Sequence, residues 1–129
     1  MTARDTRSLL SLWLPVVAYM AAIFWVSSLS KAPLPQGMSD KTGHSLAYFG
    51  LGVVVTRAIA GGLPSRVALR SALLALAIAV AYGASDEYHQ SFVAGRSADV
   101  EDLYADAAGA TTAVVACWAW GIISRRSDV

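Results

Sequence analysis

The sequence predicts an all-α integral membrane bundle of four transmembrane helices with both termini in the cytoplasm. Three observations predict it. The composition is oily, with 56% hydrophobic and 15% charged residues, against about 45–50% and about 25% in soluble domains; mean hydropathy is +0.51. The apolar residues gather into four stretches separated by turn-forming or polar segments. The basic residues fall unevenly between the two sides that those stretches would define. At 129 residues the chain reads as one domain over 1–129, too short for two independent cores.

The first apolar stretch, Leu9 to Leu29, carries no charge and is long enough to cross a hydrocarbon layer that needs about 20 residues. Arg4 and Arg7 precede it as in a signal peptide. The stretch outruns a signal core of about 7–15 residues and lacks a convincing small-residue cleavage site, so a retained span is expected. Pro15 lies near its start, where a missing N–H costs least. The segment Ala32-Pro33-Leu34-Pro35-Gln36-Gly37 then breaks the helix. A second, short span is expected at about 43–59, with Arg57 snorkelling to the interface. Gly61-Gly62-Leu63-Pro64 turns the chain into a third span at about 68–85, with Arg70 at its boundary. The fourth span, about 107–123, ends before Arg125 and Arg126. Trp13, Trp25, Trp118 and Trp120 read as membrane-interface or packing residues. The single cysteine, Cys117, has no partner for an intramolecular disulfide.

Charge orients the bundle. With both termini and the turn between spans two and three in the cytoplasm, that side holds Arg4, Arg7, Arg57, Arg66, Arg70, Arg125 and Arg126. The other side holds Lys31, Lys41 and Arg96. Seven basic residues against three satisfy the positive-inside rule. The acids fall the other way: only Asp5 and Asp128 are on the cytoplasmic side. The net charge of +1 and the lack of a basic cluster point away from nucleic acid.

Ionisable groups concentrate between Tyr82 and Gly109, where 28 residues hold six of the nine acids. Asp40, Lys41, His44 and Tyr48 share one face at the head of the second span, within about 100° of arc. Tyr82, Asp86, His89 and Gln90 share a face at the end of the third. Arg96, Asp99, Asp102 and Asp106 share one if the fourth helix starts near Ser97. Ionisable groups at such depth usually turn inward and pair. As solvated caps, Ser97 would serve as N-cap and Asp99, Glu101 and Asp102 would suit a first turn. That account fits Glu101 better than it fits Asp102 or Asp106, which continue into the apolar run. An ion-pair network, Arg96 with Asp102 or Lys41 with Asp86, stands beside catalysis as an explanation.

The candidate catalytic residues are Asp86, Glu87, His89 and His44. Either histidine can act as a general base with its charge set by a nearby carboxylate. Ser85 and Ser91 lack the strand-to-helix elbow of a nucleophilic serine. The candidate ligand-binding residues are Asp40, Lys41, Tyr48, Tyr82, Gln90, Arg96, Asp102 and Asp106. Tyr48 and Tyr82 read equally well as interfacial belt residues. A divalent metal is chemically possible on these oxygen and nitrogen donors, although their spacing matches no standard zinc signature. His44 and His89 are expected to face one interhelical crevice.

Asp40-Lys41-x-x-His44 with Tyr48, then Tyr82-Gly83-x-x-Asp86-Glu87-x-His89-Gln90-x-Phe92-Val93-x-Gly95-Arg96, then Asp102 and Asp106-x-x-Gly109, resembles the VanZ-like family. The resemblance covers about Val16 to Gly121, and the combined motifs are specific. Ala94 stands where many members have proline, and Asp106, which adds a charge, where many have asparagine. The resemblance implies a small integral membrane protein linked to low-level resistance to the glycopeptide teicoplanin. It brings no settled biochemical activity.

The leading expectation is a bacterial cytoplasmic-membrane protein with an outward-facing polar site. That site would bind or process an amphipathic envelope molecule, such as a lipid-linked intermediate or a lipoglycopeptide. Lys41 and Arg96 would meet its phosphate or carboxylate, while Asp86, Glu87 and His89 would hydrogen-bond or move protons. A net acidic surface opposes an anionic headgroup unless a cation bridges them. The alternatives are a non-catalytic accessory subunit with a structural polar network and an intramembrane metal-dependent hydrolase.

Overall fold

The computed structural model describes residues 3–63 and 66–126. Pro64 and Asp128, and the side chains of Arg4, Arg7, Arg125 and Arg126, lie outside the described residues. Four helices account for the regular structure: α1 (Ala3–Ser27), α2 (Asp40–Ala60), α3 (Leu69–Gln90) and α4 (Val100–Arg126). No strand occurs among the described residues. Within α1, α3 and α4, the segments Ser8–Ser27, Leu69–Gln90 and Val100–Ser124 are long and apolar enough to cross a membrane.

Each helix ends where local chemistry stops it. Ser39 caps α2, its hydroxyl accepting from the Thr42 amide at 3.1 Å. Gly61, at φ 76°, closes α2 in the left-handed conformation, and the Gly62 amide reaches the Arg57 carbonyl. Asp99, not the expected Ser97, accepts from the Glu101 amide at 2.8 Å at the head of α4.

The expected spans shift with these boundaries. α1 stops at Ser27 rather than Leu29, α3 runs on through Gln90, and α4 begins at Val100 rather than 107. Hydropathy falls off before the backbone hydrogen bonding does, so the polar signature is itself helical. Pro15 sits mid-helix in α1, not near its start. It has no N–H to give the Ser11 carbonyl; the Arg57 guanidinium donates to that carbonyl instead, at 3.2 Å.

The helices alternate in direction. The C-terminal ends of α1 and α3 meet through Ser28 and His89, while the heads of α2 and α4 meet through Lys41 and Asp102. These four ends and the two connections joining them share one end of the bundle. Arg57 and Ser11 mark the other.

The packing is inside-out relative to a soluble domain. Leu14, Trp25, Leu69, Trp120 and Ile123 are exposed, whereas Ala75, Ala79, Ala110 and Ala113 are fully buried. Small interior residues let helices approach closely where apolar burial alone gives no advantage in lipid. The α2–α4 seam is the most extensive contact in the molecule. At Gly109 a side-chain carbon would run into the Ser45 carbonyl, and the Ser45 hydroxyl donates to the Ala105 carbonyl at 2.9 Å. α1 leans on α2, touches α3 lightly and stays clear of α4.

Candidate functional site

The polar end of the bundle holds two carboxylate centres and an exposed ion cluster. The two centres are organised around the stretch of α3 from Gly83 to Gln90. Successive residues on a helix point about 100° apart, so Asp86 and Glu87 turn to different neighbours.

Asp86 faces α1 and α2. It accepts hydrogen bonds from the Ser27 hydroxyl, from Tyr48 at 3.4 Å and from the Gln90 amide at 3.2 Å. The Gln90 carbonyl in turn accepts from Arg96 at 3.3 Å. The Arg96 guanidinium donates further to the carbonyls of Leu29, at 2.9 Å, and Val26, at 3.4 Å. Leu29 lies just beyond α1, and the Val26 carbonyl in its last turn accepts from the Leu29 amide as well, at 3.1 Å. Arg96 therefore fastens the α3–α4 connection to α1. The expected Arg96–Asp102 pair does not form: Arg96 sits in the loop before α4, off the Asp102 stripe.

Glu87 faces α4. One oxygen accepts from the Asp99 amide at 3.0 Å; the other, Oε1, is buried without a hydrogen-bond partner and lies 3.9 Å from His44 Nδ1. His44 Nδ1 is 2.7 Å from Asp106 Oδ1. Asp106 is fully buried, and its second oxygen likewise has no hydrogen-bond partner. Gly83 leaves the room for that oxygen: a side-chain carbon there would sit 3.1 Å from it and 3.2 Å from the Tyr48 ring. The far nitrogen of the imidazole, Nε2, faces Asp102 at 3.7 Å and Asp40 at 3.8 Å. One imidazole thus stands among four carboxylates. The donor atoms of His44, Glu87 and Asp106 lie within 4.8 Å of one another, as do those of Asp40, His44 and Asp102.

Lys41 tops this centre. Its ammonium lies 2.9 Å from Glu101 and 3.4 Å from both Asp99 and Asp102. The expected pairing with Asp86 is replaced, because Lys41 is one residue along from Asp40 and so turns to α4. The Glu101 amide holds the Asp99 carboxyl below the usual aspartate range, with Lys41 adding to the effect.

Two cavities adjoin these groups. A groove of about 390 Å³ runs between α1 and α2, walled by Tyr19, Ile23, Val26 and Leu34, with His44, Tyr48, Asp86, Gln90 and Arg96 at its polar end. A polar basin of about 460 Å³ lies beside it, holding Lys31, Lys41 and Arg96 opposite Asp40, Asp99 and Asp102. Arg96, Gln90 and Asp40 line both.

The twelve residues singled out in the sequence divide accordingly. Asp40, Lys41, His44, Glu87, Asp102 and Asp106 form one centre. Tyr48, Asp86, Gln90 and Arg96 form the other. Tyr82 and His89 belong to neither. The Tyr82 hydroxyl donates to the Met20 carbonyl at 2.6 Å, and His89 stacks on Phe24 at 4.3 Å and meets Ser28 at 3.0 Å. The two histidines do not share a crevice: His44 lines the groove, whereas the His89 ring, about 60° round α3 from Asp86, packs against Phe24 and Ser28 at the end of α1. Sequence reasoning missed Ser27 and Tyr19. The hydroxyl pair Ser27-Ser28, closing an otherwise apolar run, was the available signal for the first; Tyr19 gave none.

A sequence model of the VanZ/LLP1 family matches residues 9–123. No curated protein and no solved structure matches the chain.

Proposed function

The chain belongs to the VanZ/LLP1 family, and from that premise we propose that it binds an amphipathic cell-envelope molecule at the membrane surface. The observation that carries the reading is the adjacency of the two cavities. An apolar-walled groove lies beside a basin of mixed charge, and Ala32, Asp40, Gln90 and Arg96 border both. Volumes of this size lie in the usual range for ligand sites, about 300–1,000 Å³. An acyl or other apolar portion fits along Tyr19, Ile23 and Val26. The polar headgroup fits over Arg96, Gln90 and Asp40. Arg96 has five N–H donors and commits three of them to protein acceptors.

The division of acids answers the objection that an acidic surface repels an anionic headgroup. Glu87 and Asp106 are buried beside His44 and do not line the basin, which holds three cations, Lys31, Lys41 and Arg96, against three acids, Asp40, Asp99 and Asp102. A lipid-linked intermediate or a lipoglycopeptide has the required chemistry, and retention of such a molecule would contribute to glycopeptide tolerance.

The same reading makes α2 a fourth span. Its 21 residues reach about 30 Å, the thickness of the hydrocarbon layer. Its polar residues are tolerable because α2 packs on all three other helices. Both termini then lie in the cytoplasm of a bacterial membrane, and the site faces outward, in keeping with the basic residues.

Ala47 lines the groove, so Ala47→Trp fills it. Mass spectrometry of extracts from gently purified protein should show an amphipath enriched over bulk lipid in the wild type and lost in the variant. No enriched species, or one that Ala47→Trp leaves in place, would refute the reading.

A further inference from the structure

His44, Glu87 and Asp106 present a nitrogen and two carboxylates whose donor atoms converge within 4.8 Å. A first-row divalent ion holds such donors at about 2.0–2.2 Å, so two ligands of one ion stand at most about 4.3 Å apart. The 3.9 Å from His44 Nδ1 to Glu87 satisfies that bound, and the 2.7 Å to Asp106 is a hydrogen bond that a bound ion would replace, with the two donors moving slightly apart. The cluster also contains what a structural ion-pair network would not leave behind. Glu87 Oε1 and Asp106 Oδ2 are buried oxygens with no hydrogen-bond partner, on side chains 7% and 0% exposed. Partnerless buried polar atoms of this kind are uncommon and costly.

Charge points the same way. Three buried carboxylates, Glu87, Asp102 and Asp106, surround His44. The compensating cations are at most His44 itself and Lys41, and Lys41 is shared with Asp99 and Glu101. The surroundings also suit a metal-bound imidazole. With Nδ1 toward the ion, Nε2 faces the Asp102 and Asp40 carboxylates at 3.7 and 3.8 Å, which favour a proton on that nitrogen electrostatically without a direct hydrogen bond. His44 lines the groove, which provides a way in.

We infer that His44, Glu87 and Asp106 form a binding site for a divalent first-row transition cation, zinc or manganese. One imidazole and two carboxylates suit either ion better than calcium, which takes oxygen ligands only. Three protein ligands leave a coordination position open toward the groove. The site does not depend on the amphipath reading, because metal binding is measured with no lipid ligand added.

The test uses the full chain in detergent, stripped with a chelator and titrated separately with zinc and manganese against a fluorescent competitor, with magnesium as control. The wild type should bind one equivalent of one of the two ions and melt at a higher temperature when loaded. Glu87→Gln and Asp106→Asn should each weaken binding by more than about 100-fold, and Asp102→Asn by about 10–100-fold. X-ray absorption of the loaded wild type should show a single imidazole nitrogen bound to the ion, at about 2.0–2.1 Å if the ion is zinc. Absence of saturable binding by both ions overturns the inference, as does affinity unchanged in Glu87→Gln and Asp106→Asn. Should those variants fail to fold, an absorption spectrum of the wild type without histidine, or with more than one, overturns it equally.

Discussion

Asp86 and Glu87 are adjacent in sequence and almost equally buried, yet they sit in opposite chemical conditions. Asp86 collects a hydroxyl, a phenol and an amide, and every donor around it comes from the protein. Glu87 accepts one backbone amide and keeps an oxygen with no hydrogen-bond partner beside an imidazole that three other carboxylates already surround. A saturated buried carboxylate holds elements together. An unsaturated one leaves binding capacity for something else. The helix periodicity makes this division possible, because about 100° of rotation sends one residue toward α1 and the next toward α4.

The largest effect should come from the saturated side. Asp86→Ala strands the Ser27 hydroxyl, the Tyr48 phenol and the Gln90 amide in a buried setting. Buried donors left unpaired cost about 1–3 kcal/mol each, and hydrogen bonds to a charged acceptor are at the strong end. A loss of about 3–5 kcal/mol is expected, read as a lower melting temperature in detergent. Asp86→Asn, whose amide oxygen still accepts, should lose clearly less. Equal stability of Asp86→Ala and the wild type would end the account of this centre as a clamp on α1.

Gly109→Ala probes the opposite seam. The added carbon meets the Ser45 carbonyl, which is backbone and cannot rotate away, so α2 and α4 must separate. Overpacking of this kind costs about 1–3 kcal/mol. The displacement should pull Asp106 from His44 and weaken any cation bound there. The Arg96 contacts to the end of α1 should be untouched, and crosslinking between cysteines introduced at positions 30 and 95 (Cys117 removed), where a side-chain carbon at Gly95 would sit 3.4 Å from that of Ser30, would report it. Loss of that crosslink would mean that the two centres are mechanically one.

Less of the site than of the fold was legible in the sequence, and the reason is geometric. Four apolar stretches and their breakers gave four helices in the right order. The stripe of Asp40, His44 and Tyr48 gave a polar face on α2, and the resemblance carried by Asp86, His89 and Asp106 gave the family. Periodicity says which residues share a face; it does not say which helix that face meets. Arg96 was assigned to the Asp102 stripe because α4 was started near Ser97, and a three-residue shift of the helix start places it in a loop beside Leu29. Lys41 was paired with Asp86 because both were polar at one depth. His89 was grouped with His44 for the same reason, and its stack on Phe24 depends on where α1 ends. Asp106, legible only as a charge continuing into the apolar run, is brought to His44 by the α2–α4 seam that Gly109 allows.

His89→Ala follows in size. The ring stacks on an exposed phenylalanine, and aromatic pairs contribute about 0.5–1.5 kcal/mol. His89→Phe should restore most of it. If the stability returns and glycopeptide tolerance does not, His89 acts chemically and the outer face of α1 belongs to the site.

The smallest effect separates the two centres most cleanly. Glu87→Gln removes a charge from a crowded acidic cluster while keeping the shape and an oxygen that can accept from the Asp99 amide. Its second group becomes an NH₂ beside carboxylates, where a donor is wanted. Without added metal the melting temperature should therefore stay level or rise slightly, the reverse of Asp86→Ala one residue earlier. Comparison of melting curves for Glu87→Gln and Asp86→Asn in metal-free buffer decides the matter. Should both variants fall by the same amount, the two carboxylates belong to one structural network, and the contrast between a clamp and a vacant ligand set is wrong.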